Sequence, residues 1–271
     1  MDKLDNKIIA ALIQMEVFPG EVEKNRQTAE RMLRQAVAKG ARLLVLPELW
    51  NCGYRLERLP ELGETINGES VSMLCKIAME LNVFIFGGSI GEKKGDKFYN
   101  TAVAIDANGE LVAKYRKVHL FRKGLMEHEY FTVGDKWTLC ETPWCRAGMM
   151  VCYDLRFPEF SRNLALRGAK MLVYPAQWPE ARLTGWRALP PARAVENECF
   201  VLAANRCGED DFVYPGHSML VGPWGNIIAE GGRGEELVMG ELDFGLLAEE
   251  KSMKVLADRH RILDEIDDSQ I

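Results

Sequence analysis

Apolar positions along the chain alternate between a short-run pattern and a helical one. Residues 7–15 form a brief, nearly continuous apolar run, the signature of a strand buried on both faces. Residues 21–39 carry apolar side chains at helical spacing, with acid near the start and Gly40 as a stop signal. Residues 42–46 predict a second strand, which ends at Pro47-Glu48. The alternation continues with a helix over 70–81 and a strand over 83–88. Residues 101–106 and 111–115 flank Ala107-Asn108-Gly109-Glu110, a hairpin with Asn-Gly at its centre. Strands over 148–152 and 170–174 bracket a helix over 159–168. A helix over 183–197 contains Pro190-Pro191, which predicts an interruption or kink. Short strands follow at 200–204, 217–221, 227–229 and 237–241. The first third has βαβ character and the later parts supply hairpins, so the pattern predicts an α/β sandwich with a mixed sheet.

No linker, low-complexity tract or repeat divides the 271 residues, which predicts a single domain over 1–271. Charged residues make up 27% and hydrophobic ones 47%, a globular balance that excludes wholesale disorder. Acid exceeds base by 40 to 34, a net charge of −6, which argues against nucleic acid or an anionic membrane as partner. The apolar run at 8–13 is shorter than a spanning helix or a signal-peptide core, and the opening residues carry no basic leader. The seven cysteines are odd in number and form no CxxC pair, and the four histidines are scattered without metal-ligand spacing. A reduced, cytoplasmic protein without a metal is expected.

Three segments place reactive side chains just past an apolar strand, where open α/β sheets build their sites. In the first, Leu43-Leu44-Val45-Leu46 runs through Pro47 into Glu48, followed by Leu49-Trp50. A partly desolvated carboxylate there is a candidate general base, and an ordinary turn glutamate is the plainer reading. The second is residues 113–121, whose alternation sends Lys114 and Arg116 to one side and Tyr115 and Lys117 to the other. An inward Lys117 needs a carboxylate partner or an anion; solvated lysines are the plainer reading. In the third, the apolar run ending in Cys152 enters Tyr153-Asp154-Leu155-Arg156 and a helix. Such an elbow exposes a nucleophile, whereas most free cysteines are inert core.

Together, LPELW around Glu48, YRKVHLF around Lys117 and CYDLRFPE from Cys152 resemble the carbon–nitrogen hydrolase family, or nitrilase superfamily. Softer likeness runs from about residue 7 to 245, through GGS at 87–89, YPAQWP at 174–179 and ARAVEN at 192–197. The resemblance implies an α-β-β-α sandwich whose Glu48, Lys117 and Cys152 converge in one pocket. It implies assembly to at least a homodimer, with the C-terminal segment 246–271 reaching across. It also implies a second glutamate ahead of a glycine; Glu127, seven residues before Gly134, suits that role, with Glu129 as the alternative.

These residues outline a metal-free, cofactor-free amide hydrolysis. Lys117 would favour the Cys152 thiolate, Glu48 would take the thiol proton, and Lys117 with the backbone N–H of Tyr153 would hold the oxyanion. The CYDLRFPE, YPAQWP and ARAVEN blocks look most like the omega-amidase branch, whose small-molecule substrates carry a carboxylate. Arg182 and Arg156 are candidate anchors for it, although Asp154 and Glu159 also offer Arg156 internal pairing. Tyr54 and Trp178 are candidate pocket walls, or plain core aromatics. Other carbon–nitrogen hydrolases (a nitrilase, a carbamoylase, a deaminated glutathione amidase) are the alternative, and a nonenzymatic interaction protein the rival from another class. Gly216-His217-Ser218 begins like a G-x-S-x-G elbow but has Leu220 at its last position.

Overall fold

The computed structural model describes residues 6–124, 126–248, 253 and 255–258. Its strands, in chain order, are β1 (Lys7–Gln14), β2 (Ala41–Val45), β3 (Phe84–Lys94), β4 (Lys97–Ile105), β5 (Leu111–Arg116), β6 (Thr138–Glu141) and β7 (Arg146–Met149). They continue as β8 (Met171–Ala176), β9 (Phe200–Asn205), β10 (Cys207–Glu209), β11 (Val213–Pro215), β12 (Met219–Val221), β13 (Ile227–Glu230) and β14 (Glu236–Asp243). The helices are α1 (Val22–Ala38), α2 (Leu59–Leu62), α3 (Glu69–Leu81), α4 (Glu127–Tyr130), α5 (Pro158–Leu166), α6 (Leu183–Asn197) and α7 (Val255–Asp258).

Two six-stranded sheets stack face to face, in the orders β14-β1-β2-β3-β4-β5 and β13-β12-β9-β8-β7-β6. Each has a parallel centre: β1-β2-β3 in one, β7-β8-β9 in the other. The outer pairings are antiparallel. Parallel neighbours need crossovers, and α1, α3, α5 and α6 supply them. The βαβ character of the first third therefore recurs between residues 146 and 205, more widely than the sequence pattern suggested.

Alternation along the strands separates two cores. Leu12, Val45 and Phe86 pack in the large core between the sheets, while Ile13, Leu44 and Ile85 pack under α1 and α3. Both faces of these strands are dry, which is why they read as continuous apolar runs. Truncating Leu12 to Ala in so closed a place costs about 2–5 kcal/mol.

Two local expectations fail. Pro190-Pro191 does not interrupt α6, which runs unbroken from Leu183 to Asn197. The prolines forfeit two helical N–H donors, but Trp186, Pro190, Arg193, Ala194 and Asn197 form one buried stripe. Arg193 Nε also donates to the Leu155 carbonyl at 3.1 Å. Tertiary burial outweighs the propensity penalty. The strand expected over 148–152 stops at Met149, and Cys152 opens a short 3-10 helix instead.

Most of the C-terminal segment 246–271 lies outside the described residues. Of what is described, Leu246, Leu247 and Leu256 pack on the large core of the same chain, and the Met253 N–H donates to Glu198 at 2.6 Å. Among the described residues no helix is long and apolar enough to cross a membrane.

Candidate active site

The chemistry-bearing residues gather at the C-terminal ends of the parallel strands. Glu48 follows β2, Cys152 follows β7 and Gln177 follows β8; Lys117 follows β5 from the same sheet as Glu48. The loop carrying Glu48 is pressed against β3. Leu49 N–H donates to Ser89 Oγ at 2.9 Å, and the Trp50 indole donates to the Gly87 carbonyl at 2.7 Å. Gly88 sits at φ +60, and a Cβ there would lie 2.0 Å from the Pro47 carbonyl oxygen, so only glycine permits this approach.

Lys117 lies between two carboxylates, all three side chains being fully buried. Its Nζ donates to Glu48 Oε1 at 2.7 Å and to both oxygens of Glu127, at 2.9 and 2.8 Å. Glu127 also accepts from Tyr54 OH at 2.9 Å and from the Phe121 N–H at 2.6 Å. Glu129 is exposed, so the geometry selects Glu127 as the second glutamate at this centre. Gly134 belongs to the same device: its N–H donates to the Lys117 carbonyl at 2.9 Å, and a Cβ would lie 2.0 Å from the Arg116 carbonyl.

Glu48 is held at both oxygens. Asn100 Nδ2 donates to Oε1 at 2.8 Å, and the Gln177 backbone N–H donates to Oε2 at 3.0 Å. Gln177 Nε2 adds a bond to the Glu48 carbonyl at 2.7 Å. Behind Gln177, the fully buried Arg206 donates to Gln177 Oε1 at 3.1 Å and to Asp210 at 2.7 Å. The sequence reading assigned no role to Asn100, Gln177 or Arg206. Gln177 lies inside the YPAQWP block, but Asn100 and Arg206 carry no local signal, because their roles depend on what the fold places opposite them.

Cys152 is nearly buried, at 8% exposure, and adopts φ +45, a left-handed conformation unusual for a side chain with a Cβ. Burial, and then the negative charge of Glu48, push its thiol well above the ordinary range; the Lys117 ammonium pulls the other way and is outweighed. Lys117 thus acts in the direction expected of it, toward the thiolate, but burial together with Glu48 and Glu127 outweighs it. Lys117 itself is disfavoured as a cation by burial, yet Glu127 and Glu48 more than compensate and hold its pKa above the usual lysine value. Glu127 is raised, by burial first and by the nearby charge of Glu48.

A narrow pocket opens at Cys152. Tyr54, Trp178, Arg156 and Arg182 all line it, together with Phe121 and Tyr153. The Arg156 guanidinium lies 4.8 Å from the Trp178 ring centroid and Arg182 4.9 Å from that of Phe121. Neither arginine has a carboxylate partner among the described residues. Asp154, which the sequence offered to Arg156, is taken by Tyr115, His119 and the Val151 N–H. Ser218 of the abortive serine elbow is fully buried, its hydroxyl bonded to the backbone of Asn205 in both directions, and makes no nucleophile.

The family model for carbon-nitrogen hydrolases matches residues 9–251. The 2-oxoglutaramate amidase of Bacillus subtilis is 39% identical over 238 residues, 88% of this chain and 91% of its own. Omega-amidase NIT2 of Homo sapiens is 37% identical over 250 residues, with 88% and 90% covered. The crystal structure of Saccharomyces cerevisiae Nit3, a member of branch 10 of the nitrilase superfamily, superposes with a TM-score of 0.82 at 30% identity, covering 98% of this chain and 97% of that one. A family match over residues 9–251, relatives of this extent and a sandwich of two mixed sheets place the chain in the carbon-nitrogen hydrolase family, as an amidase acting on carbon–nitrogen bonds other than peptide bonds.

Proposed function

We propose that the protein is a thiol amidohydrolase of the omega-amidase type, cleaving the terminal carboxamide of 2-oxoglutaramate or 2-oxosuccinamate. The observation that carries this reading is the buried Glu48–Lys117–Glu127 cluster, whose charges act on Cys152, and the lining by Cys152 of a pocket whose walls hold two arginines without carboxylate partners among the described residues. The relatives' names supply the substrate class, and the arginines suit its carboxylate.

The resting nucleophile is a neutral thiol. As Cys152 Sγ attacks the amide carbon, its proton passes to Glu48, whose Oε1 is occupied by Lys117 and Asn100. The carbonyl π pair moves to oxygen, where Lys117 Nζ and the Tyr153 N–H stabilise it. Tyr153 stands second in its 3-10 helix, where an N–H has no partner within the helix. One such donor is worth about 3–4 kcal/mol of barrier. Collapse breaks the C–N bond, Glu48 returns the proton to the departing nitrogen, and ammonia leaves. Water then attacks the thioester with Glu48 as base; the C–S bond breaks, and carboxylate and thiol are regenerated. Glu127 keeps Lys117 in place. Tyr54 and Trp178 shape the pocket, and Arg182 or Arg156 pairs with the substrate carboxylate.

The reading extends to a cytoplasmic homodimer, or larger homo-oligomer, without nucleic-acid or membrane partners; size-exclusion chromatography with light scattering tests the assembly. Ammonia release is to be measured from 2-oxoglutaramate, succinamate, asparagine, an aliphatic nitrile and an N-carbamoyl amino acid, with Cys152→Ala in parallel. Release from the oxo-acid amides that the substitution abolishes is expected. Preference for the nitrile or the carbamoyl compound overturns the substrate class. No release from any of them turns the question to another amide or to the nonenzymatic interaction protein.

A further inference from the structure

Asp154 stands two residues after Cys152, and Tyr115 and His119 stand two residues either side of Lys117. The fold brings these three side chains together. The fully buried Asp154 carboxylate accepts from Tyr115 OH at 2.8 Å and from the Val151 N–H at 2.8 Å on one oxygen. Its other oxygen accepts from the His119 N–H at 3.2 Å and meets His119 Nδ1 at 2.6 Å, so Nδ1 carries the proton. Tyr115 OH in turn accepts from the Val118 N–H at 3.0 Å. One carboxylate thus binds the chain before and after Lys117 and also the residue before Cys152, whose left-handed φ needs outside support.

The His119 ring is fixed from its other side. It stacks on Phe157 with centroids 3.7 Å apart and an 11° interplanar angle, and meets Phe160 edge-on at 5.5 Å. Its side chain is still 26% exposed, on a groove lined by Leu120, Lys123, His128 and Val133. Removing the ring therefore opens no sealed cavity.

We propose that Tyr115, Asp154 and His119 form a positioning clamp that sets Lys117 against Cys152, so that a partly exposed histidine outside the reacting cluster governs the rate of acylation. The clamp holds the oxyanion donor at the distance the nucleophile requires, and displacement on the order of 1 Å costs as much as a hundredfold in rate. None of the three touches the substrate. The proposal rests on Cys152 being the nucleophile.

The test uses the full chain and the variants His119→Ala, His119→Asn and Asp154→Asn. The asparagine at 119 keeps a donor near the Nδ1 position. Steady-state ammonia release gives kcat and KM, quenched intact-mass measurement gives the rate of adduct formation at Cys152, and thermal melting reports folding. His119→Ala is expected to lower kcat and the acylation rate at least about tenfold with KM within about twofold, and His119→Asn to recover most of the loss. Asp154→Asn is expected to follow His119→Ala; if it does not fold, the two His119 variants decide alone. A His119→Ala enzyme with acylation within about twofold of the parent overturns the proposal, as does a His119→Asn enzyme as slow as His119→Ala. Absence of any Cys152 adduct in the parent protein refutes the nucleophile reading instead, which keeps the two failures distinct.

Discussion

Replacing Glu127 by glutamine tests whether the second glutamate is part of the machinery. Every group the carboxylate meets is a donor: Lys117 Nζ, the Phe121 N–H, Tyr54 OH and, at 3.3 Å, Asn100 Nδ2. A glutamine amide offers one acceptor oxygen and one NH₂. If the NH₂ takes the Oε2 place, it faces Lys117 and Phe121; in the Oε1 place it faces Lys117 and Asn100. Either way a buried donor meets donors, and Lys117 loses one of two charge partners. Breaking a buried pair costs about 3–5 kcal/mol, and the lower end applies because Glu48 still holds Lys117. For 271 residues the lower figure is roughly 5 °C in Tm. Turnover should fall on the order of a hundredfold as Lys117 shifts. Glu127 also helps to push the Cys152 thiol upward, so its removal lowers the thiol pKa. Iodoacetamide should therefore alkylate Cys152 faster in Glu127→Gln even as ammonia release slows. The assay pairs peptide-resolved alkylation with steady-state turnover and thermal melting. A variant with Tm within about 1 °C and kcat within about twofold of the parent would refute the reasoning.

Three further outcomes are expected. Arg182→Ala should raise KM for a carboxylate-bearing amide by about tenfold or more while leaving a neutral amide such as butyramide unchanged, with Arg156→Ala as the parallel measurement; equal effects on both amides refute the anchor. Cys52, Cys140, Cys145, Cys199 and Cys207 are all pushed up to about 12 by burial, and Cys152 is raised as well. The folded chain therefore keeps protons that the unfolded chain releases near pH 9, so the urea midpoint should fall steadily from pH 9 to pH 11; a flat profile contradicts the buried thiols. Gly134→Ala puts a Cβ onto the Arg116 carbonyl beside Lys117, and should yield a destabilised protein whose residual fold has lost most turnover; a normal Tm with normal kcat would show that the backbone relaxes freely.

Glu48 and Cys152 were legible in the sequence because each follows an apolar run, which announces itself locally, and Lys117 because strand alternation puts it on the side of Tyr115, opposite Lys114 and Arg116. The strands buried on both faces and the crossover helices were legible for the same reason, since hydrophobic period is a property of neighbours in the chain. The weaker local signals failed where packing overruled them. Pro190-Pro191 argued for a break in a helix whose buried stripe holds it together. Arg156 stood beside Asp154 in the chain, but Asp154 turned to Tyr115 and His119 instead.

By itself, the sequence determined which residue types stand at strand ends, and hence that a glutamate, a lysine and a cysteine were available for amide chemistry. Only the tertiary structure decided which of Glu127 and Glu129 reaches Lys117, that Asn100 and Gln177 grip Glu48, and that the thiol rests protonated. The reason is physical. A hydrophobic period is written within a few residues, whereas a buried charge takes its energy from groups contributed by distant strands. Lys117 meets Glu48 from a strand end elsewhere in the same sheet, and Gln177 reaches Glu48 only when the two sheets close on one another.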